Sequence, residues 1–277
     1  MEFKGSNMMK EILYSIAALL VLLYFASSTF RYYAKFTIFV ILSLISASIF
    51  IPLMLRRPMD YRNAKYPAWG GRQTSKVLGM KWEIRGTEQV PKVDDGCVVL
   101  INHQSALDLL VLAELWSVME RCTVIAKKAV FYLWPFGLAA WLWGTIYIDR
   151  QNHERARSTV NETSVAIKEK KAKILMFPEG TRHSGDALLP FKKGAFHVAL
   201  SAEAPILPVV LSKYYFLDHK KKIFNGGRII LSILPPIPTK GKTVADMDSI
   251  IEEARNAMNE AFAATSKEVK MSIHNRQ

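Results

Sequence analysis

A histidine and an aspartate stand five residues apart in segment 102–108 (NHQSALD), which directly follows the apolar run 97–101. A histidine can serve as a general base, and a neighbouring carboxylate orients its ring and stabilises its charged form. On one helix, side chains five residues apart diverge by about 140°. His103 and Asp108 therefore meet only if the histidine lies in a turn and the aspartate in the first turn of the following helix. The alternative is a capping box, in which Asp108 only stabilises the helix start.

Short apolar runs alternate with amphipathic stretches around this pair, and the runs have the length and composition of buried strands. The stretches 105–118, 152–171 and 191–202 have helical length, and 246–265 has an amphipathic helical pattern. This alternation predicts an α/β fold with a mostly parallel sheet flanked by helices, spanning residues 66–277. The predicted strands are Cys97–Ile101, Thr123–Ile125, Thr145–Ile148, Ile174–Phe177, Ile206–Val210 and Ile229–Leu234.

Further polar patches follow the predicted strands, where an α/β sheet presents its ligands. In 178–182 (PEGTR), Gly180 permits close backbone approach and the planar guanidinium of Arg182 matches a phosphate. A turn with a local Glu179–Arg182 ion pair is the alternative. Arg150, next to Asp149, fits a surface ion pair equally well. The proline-bracketed run 204–210 is interpreted as a strand that shapes the fold.

The first 65 residues predict a hydrophobic two-helix membrane anchor. The runs 12–26 and 36–55 are apolar, and the second is long enough to cross a bilayer of about 30 Å. A cleaved signal peptide is less consistent with the second apolar run, while a re-entrant or interfacial hairpin stays open. The basic flank after residue 55 favours a cytosolic location for the main domain.

The formal charge of +13 requires an acidic partner or surface. The basic residues are dispersed and accompany no nucleic-acid motif, so a membrane with phosphate-bearing lipid is predicted instead of nucleic acid. Two cysteines, Cys97 and Cys122, make no disulfide framework and indicate a reducing compartment. The chain has no CxxC or HExxH spacing, so no metal is predicted.

Four blocks in order, 102–108, 144–150, 177–182 and 204–210, resemble the glycerolipid acyltransferase family, and within it the animal 1-acylglycerol-3-phosphate acyltransferases. Segment 189–197 also resembles this family, and the resemblance extends from about Tyr66 to Pro238. The family has Phe where Tyr147 stands and Val where Ala204 stands, which are mild substitutions. The chain has no Gly-x-Ser-x-Gly elbow, so nothing indicates a covalent acyl-enzyme.

The resemblance implies acyl transfer from acyl-CoA to the sn-2 hydroxyl of 1-acylglycerol-3-phosphate (lysophosphatidic acid), at the endoplasmic reticulum membrane. Acyl-CoA is then a co-substrate, and no cofactor is expected. His103 would be the base and Asp108 its orienting partner. The residues expected to hold the acceptor phosphate are Glu179, Gly180, Thr181 and Arg182, with Arg150, Lys127 and Lys193 as weaker candidates for that charge or for the CoA phosphates.

Two alternatives to this function stay open on the sequence. The same motifs would serve an acyltransferase that uses glycerol-3-phosphate or another lysophospholipid as acceptor. A non-catalytic membrane lipid-binding protein is a less favoured alternative, because it would not need the His103 and Asp108 pair.

Overall fold

The computed structural model describes residues 2–148 and 153–274, with side chains from 7 to 147 and from 160 to 274. The strands are β1 (Met80–Arg85), β2 (Cys97–Ile101), β3 (Cys122–Lys127), β4 (Ile146–Ile148), β5 (Lys173–Met176), β6 (Ile206–Leu211), β7 (Leu217–Asp218), β8 (Ile223–Phe224) and β9 (Gly227–Ile233). The α-helices are α1 (Glu2–Ala26), α2 (Ser28–Ser48), α3 (Ile51–Met54), α4 (Lys65–Val77), α5 (Leu109–Val118), α6 (Phe136–Leu142), α7 (His153–Lys170), α8 (Gly194–Ala202) and α9 (Met247–His274).

The main sheet confirms the predicted α/β fold. Its strand order is β1-β9-β6-β2-β5-β3-β4, and every neighbouring pair is parallel except β6 with β9. The central strand β2 lies between β6 and β5, with Val99 opposite both Leu207 and Leu175. Parallel strands need helical crossovers, which explains the alternation of strands and helices along the chain.

Helices cover both faces of the sheet. On β2, Val99 and Ile101 pack into a cluster with helix α5, while Val98 and Leu100 pack into a second cluster with α8 and α9. Successive strand side chains point to opposite faces, so a strand buried on both sides reads as a continuous apolar run. This is why β2 could be predicted to the residue.

Several elements differ from the sequence-based prediction. Strand β1 was not predicted, because its sequence MKWEIR alternates apolar and charged residues at the sheet edge. Helix α9 continues about nine residues beyond the predicted end at 265, and Val269 is buried on it. The β7–β8 hairpin was also missed. Two-residue strands carry too little pattern to be recognised.

The two N-terminal helices fit a membrane anchor, but their surroundings differ. The candidate spans are Asn7–Ala26 and Ser28–Met54; an apolar stretch of 18 residues is entirely unburied in the first and 11% buried in the second. Helix α2 packs one face on the main domain: the Tyr32 hydroxyl lies 2.7 Å from His219 Nδ1, and Lys35 Nζ donates to the carbonyls of Leu78 and Asn225. These contacts tie helix α2 to the main domain. The domain boundary at residue 65 stays a prediction.

Candidate active site

The carboxyl ends of four parallel strands bring the candidate residues to one edge of the sheet. His103 follows β2, the segment 177–182 follows β5, Lys127 ends β3, and β6 leads to Tyr214. Because these strands run in the same direction, residues more than 100 positions apart along the chain meet here.

His103 and Asp108 meet as predicted. His103 lies in the turn after β2, and Asp108 closes the 3-10 turn Ala106–Asp108 that precedes α5. His103 Nδ1 is 2.7 Å from Asp108 Oδ2, and the aspartate side chain is 1% exposed. The same oxygen accepts the backbone N–H of Ser105 at 3.1 Å, in a capping box with the Ser105 side chain. One carboxylate therefore makes the helix-capping contacts and also contacts the His103 ring.

The second carboxylate oxygen of Asp108 is held by a buried tyrosine. The Tyr214 hydroxyl donates to Asp108 Oδ1 at 2.9 Å, and burial, with the neighbouring carboxylate, raises the pKa of Tyr214 well above its usual value. Gln104 adds a second connection, because its backbone N–H donates to Asp108 Oδ2 and its Oε1 accepts the Tyr214 N–H. A carboxylate oxygen accepts hydrogen bonds, so Nδ1 of His103 donates to Asp108 and the ring lone pair is on Nε2.

The face of the His103 ring packs on Phe177. The two ring centroids are 4.0 Å apart, with an angle of 24° between the planes. The hydrogen bond to Asp108 fixes one edge of the imidazole and the stack fixes its plane. The histidine side chain is still 19% exposed, which leaves Nε2 accessible to a substrate hydroxyl.

Glu179 has a structural position rather than a place in the predicted ion pair. Its Oε1 accepts the backbone N–H of His103 and its Oε2 accepts that of Leu189, both at 2.9 Å. The side chain is buried, and among the described residues it makes no ion pair with Arg182. Glu179 therefore ties the turn that carries His103 to the loop that precedes α8.

Arg182 is exposed and forms no hydrogen bond or ion pair with the rest of the described chain. It lines a cavity together with Gly180 and Thr181. Gly180 has φ +68°, which favours glycine, and a Cβ atom there would lie 2.8 Å from Lys192 Nζ. A second cation, Lys192, therefore lies next to Gly180, two positions before Arg182 in this turn. The unpaired guanidinium of Arg182 and the ammonium of Lys192, close to the backbone of Gly180, suit the binding of a phosphate.

The three weaker candidates for a phosphate contact differ in their position relative to the cavity. Lys127 lines the cavity with His103. Lys193 does not: its Nζ is 2.7 Å from Asp248 Oδ1, at the start of α9. The adjacent Lys192, which lies next to Gly180, is thus the better candidate of the two, whereas the sequence-based prediction named Lys193. Arg150 lies outside the described residues.

The cavity beside His103 has a volume of about 540 Å³, within the range of small-molecule sites. Its polar groups include His103, Lys127 and Arg182. The rest of the wall is mainly apolar, as a ligand with both a charged and a hydrocarbon part would require. Apolar side chains on this wall include Leu109, Leu112, Val124, Ile125, Phe136 and Trp143.

Sequence reasoning missed Tyr214 and Phe177 as parts of the site. Run 204–210 was interpreted only as a shaping strand, yet its continuation beyond β6 delivers Tyr214 to Asp108. The available signal was the position of a polar aromatic residue shortly after the carboxyl end of a buried strand. Phe177 was assigned to strand β5, which instead ends at Met176 and leaves the ring free to stack on His103.

Comparisons with known proteins agree with this arrangement. A profile of the acyltransferase family matches residues 81–212. The human 1-acyl-sn-glycerol-3-phosphate acyltransferase beta is 34% identical over 252 residues, which are 90% of each chain. The human alpha form is 34% identical and covers 90% of this chain and 87% of its own. A putative 1-acyl-sn-glycerol-3-phosphate acyltransferase, acl-2, of Caenorhabditis elegans is 31% identical, covering 95% of this chain and 93% of its own.

A solved structure has the same fold. The crystal structure of the 1-acyl-sn-glycerophosphate (LPA) acyltransferase PlsC from Thermotoga maritima superposes with a TM-score of 0.65. The match covers 88% of this chain and 98% of the other, with 21% sequence identity.

Proposed function

The chain belongs to the acyltransferase family, and on that premise we propose that it transfers an acyl group from acyl-CoA to the sn-2 hydroxyl of 1-acylglycerol-3-phosphate. The product is phosphatidic acid, a precursor in phospholipid biosynthesis. The supporting relatives are named for this acceptor. The observation that carries the proposal is the 2.7 Å contact between His103 Nδ1 and Asp108 Oδ2 at the wall of a cavity.

His103 acts as the general base in this proposal. Nδ1 donates its proton to Asp108, so the lone pair of Nε2 is available for the sn-2 hydroxyl proton. As the oxygen loses this proton it attacks the thioester carbonyl of acyl-CoA. Asp108 stabilises the imidazolium that forms, and its own contacts with Tyr214 and Gln104 keep it from turning away.

The leaving group makes a two-residue mechanism sufficient. When the C–S bond breaks, the electron pair stays on the CoA sulfur as a thiolate, which then takes up the proton carried by His103. A thiol with a pKa of about 8.5 leaves readily near neutral pH. Neither cysteine of the chain takes part, because both are buried and burial raises the pKa of each thiol to about 12.

The acceptor phosphate is assigned to Arg182, supported by Lys192 and by the open turn at Gly180 and Thr181. Arg182, Gly180 and Thr181 line the cavity that contains His103, and Lys192 lies next to Gly180. Lys127, on the same wall, is a candidate for the acceptor phosphate or a CoA phosphate. Glu179 contributes indirectly, because it holds the backbone of His103.

We place the enzyme in the endoplasmic reticulum membrane with the catalytic domain on the cytosolic side. The apolar helix α1 supports anchoring, and exposed Arg56 and Arg57 after α3 favour the cytosolic side. The compartment itself follows from the family resemblance. Proteases confined to the cytosolic face of sealed microsomes should cleave after Arg57, whereas protection until detergent is added would overturn the orientation.

The test of the activity is an assay of the purified protein with acyl-CoA and a panel of acceptors. Free CoA release and lipid product are measured with 1-acylglycerol-3-phosphate, glycerol-3-phosphate and lysophospholipids that carry larger head groups. We expect the highest kcat/KM with 1-acylglycerol-3-phosphate, with equal amounts of CoA and phosphatidic acid formed. A higher kcat/KM with another acceptor would change the assigned substrate. Absence of turnover with every acceptor, together with lipid binding, would favour the non-catalytic alternative.

A further inference from the structure

Three consecutive bulky side chains are exposed beside the cavity. Tyr132, Leu133 and Trp134 are 69%, 60% and 73% exposed, in a segment we call the aromatic loop (residues 128–135). An aqueous surface rarely carries such a contiguous run without a partner. The loop adjoins the cavity, because Lys127 before it, Val130 within it and Phe136 after it all line the cavity.

Hydrogen bonds and ring contacts fix the backbone around these exposed side chains. The backbone N–H of Leu133 donates to the carbonyl of Val130, and that of Gly137 donates to the carbonyl of Leu133. The Phe131 ring packs edge-on against Tyr147 at 5.5 Å, and the Tyr147 hydroxyl donates to the Gly137 carbonyl. The residues at the two ends of the loop are thus held by the main domain, while the side chains of residues 132–134 are exposed. Such a surface can contact a partner.

The surroundings identify the partner as a lipid bilayer. The loop runs directly into α6, whose Ala139, Ala140 and Leu142 pack in one cluster with Ala47 of α2 and Met54 of α3. It is therefore continuous with the apolar N-terminal helices. Tyrosine and tryptophan are the side chains that settle at the boundary between hydrocarbon and head groups. Lys127 and Lys128 add positive charge at the base, which suits anionic lipid.

We propose that the aromatic loop is a second membrane contact, separate from the N-terminal helices, which inserts Tyr132, Leu133 and Trp134 into the interfacial layer of an anionic phospholipid bilayer. The loop sets the mouth of the cavity against the membrane. An amphipathic substrate can then move from the bilayer to His103 without crossing water.

Insertion is tested with the full chain in vesicles of phosphatidylcholine and phosphatidic acid. A fluorophore is attached at Trp134→Cys, and quenching by phosphatidylcholine with a doxyl group near the top of its acyl chain is measured. The matched control is Val244→Cys, an apolar position 66% exposed at the start of α9, on the opposite face of the sheet. The unsubstituted chain measures any background labelling of Cys97 and Cys122.

We expect the probe at 134 to be quenched at least about threefold more strongly than the probe at 244, in line with burial of an interfacial residue. Equal quenching at the two positions would overturn the proposal. A shifted emission at 134 without lipid quenching would also overturn it, because a protein or a second copy of the chain would then cover the loop. This measurement does not depend on enzymatic activity.

A kinetic arm rests on the proposed function. Replacing Tyr132, Leu133 and Trp134 by Ser should lower turnover of vesicle-embedded acceptor several-fold and leave turnover of a short-chain, water-soluble acceptor unchanged. Val244→Ser is the control and should alter neither rate. Equal loss on both acceptors would indicate damage to the cavity and contradict membrane delivery. Failure of the proposed function itself would instead appear as no turnover by the unsubstituted chain.

Discussion

The two halves of the site differ in how fully their charged groups are paired. Asp108 is buried and accepts from His103, Tyr214 and two backbone N–H groups. Arg182, across the same cavity, is exposed and has no protein partner among the described residues. A paired, buried group keeps its geometry whether or not a substrate is present. An unpaired cation on a cavity wall is available to a ligand, so we assign chemistry to the first half and binding to the second.

Two other arginines, in contrast to Arg182, are fully paired with carboxylates. Arg85 and Arg228, at the far edge of the sheet, share the carboxylates of Glu83 and Glu268. Those two arginines stabilise the contact between β1, β9 and the end of α9. Within the described residues Arg182 has no comparable carboxylate partner, and the nearby Glu179 uses both oxygens on backbone N–H groups.

The largest effect is expected from His103→Ala. Loss of general-base catalysis should lower kcat by about 10²- to 10⁴-fold. The protein should remain folded, since the side chain is partly exposed in a turn and contributes little to the core. Kinetics with saturating substrates and a thermal melt measure both effects.

Near-normal turnover by His103→Ala would remove this residue from the mechanism. Asp108→Asn is the companion variant, because asparagine has nearly the same shape but lacks the negative charge and one of the two acceptor oxygens. It should lose much of the activity as well. If it only lowers the melting temperature, capping is the main role of Asp108.

Arg182→Ala should act on binding of one substrate. Loss of a charge-assisted contact is worth about 1.5–3 kcal/mol, so the KM for 1-acylglycerol-3-phosphate should rise about 10- to 100-fold. The KM for acyl-CoA should change much less. Arg182→Lys should recover only part of the loss, since an ammonium lacks the planar fork. Equal changes in both KM values would contradict the phosphate assignment.

Glu179→Gln should lower the stability of the protein and should not affect the binding of one substrate selectively. Glutamine keeps one oxygen acceptor where two backbone N–H groups need partners, so the free energy of unfolding should fall by about 1–3 kcal/mol. Denaturant unfolding measures this change, and both substrates should be affected alike. A selective rise in the KM of the acceptor, with unchanged stability, would instead place Glu179 in phosphate binding.

Tyr214→Phe tests whether the buried tyrosine positions the catalytic pair. Removing its hydroxyl leaves Asp108 Oδ1 without that donor, so kcat should fall about tenfold, the equivalent of one hydrogen bond to a charged group. Both KM values should stay nearly constant, which a general loss of packing would not produce. The matched control is the neighbouring Tyr215→Phe, expected to be neutral. Unchanged kcat for Tyr214→Phe would restrict this residue to the core.

The smallest effect separates two adjacent lysines. Lys192→Ala should raise the KM of the acceptor about two- to fivefold, the range for one exposed charge pair. Lys193→Ala should leave it unchanged, because Lys193 pairs with Asp248 away from the cavity. The ratio of the two acceptor KM values measures the difference. A larger effect at Lys193 would reverse the assignment.

Much of the fold could be predicted because buried strands carry continuous apolar runs. Strand β2 was placed to the residue, and the strand, turn and helix order put His103 and Asp108 within reach of each other. The edge strand β1 was not recognised, since a strand with one polar face has no continuous apolar run. Only the alternation of apolar and polar residues indicates such a strand. The same alternation could have been used to find it.

The sequence by itself determined the meeting of His103 with Asp108, the α/β class and the turn at Gly180, because each depends on residue types within a few positions of one another. Only the tertiary structure decided which neighbours complete them. Tyr214 reaches Asp108 across 106 positions, and Glu179 holds the backbone of His103 across 76. Such contacts depend on strand order and register, which bring distant residues to one edge of the sheet and leave no local pattern in the chain.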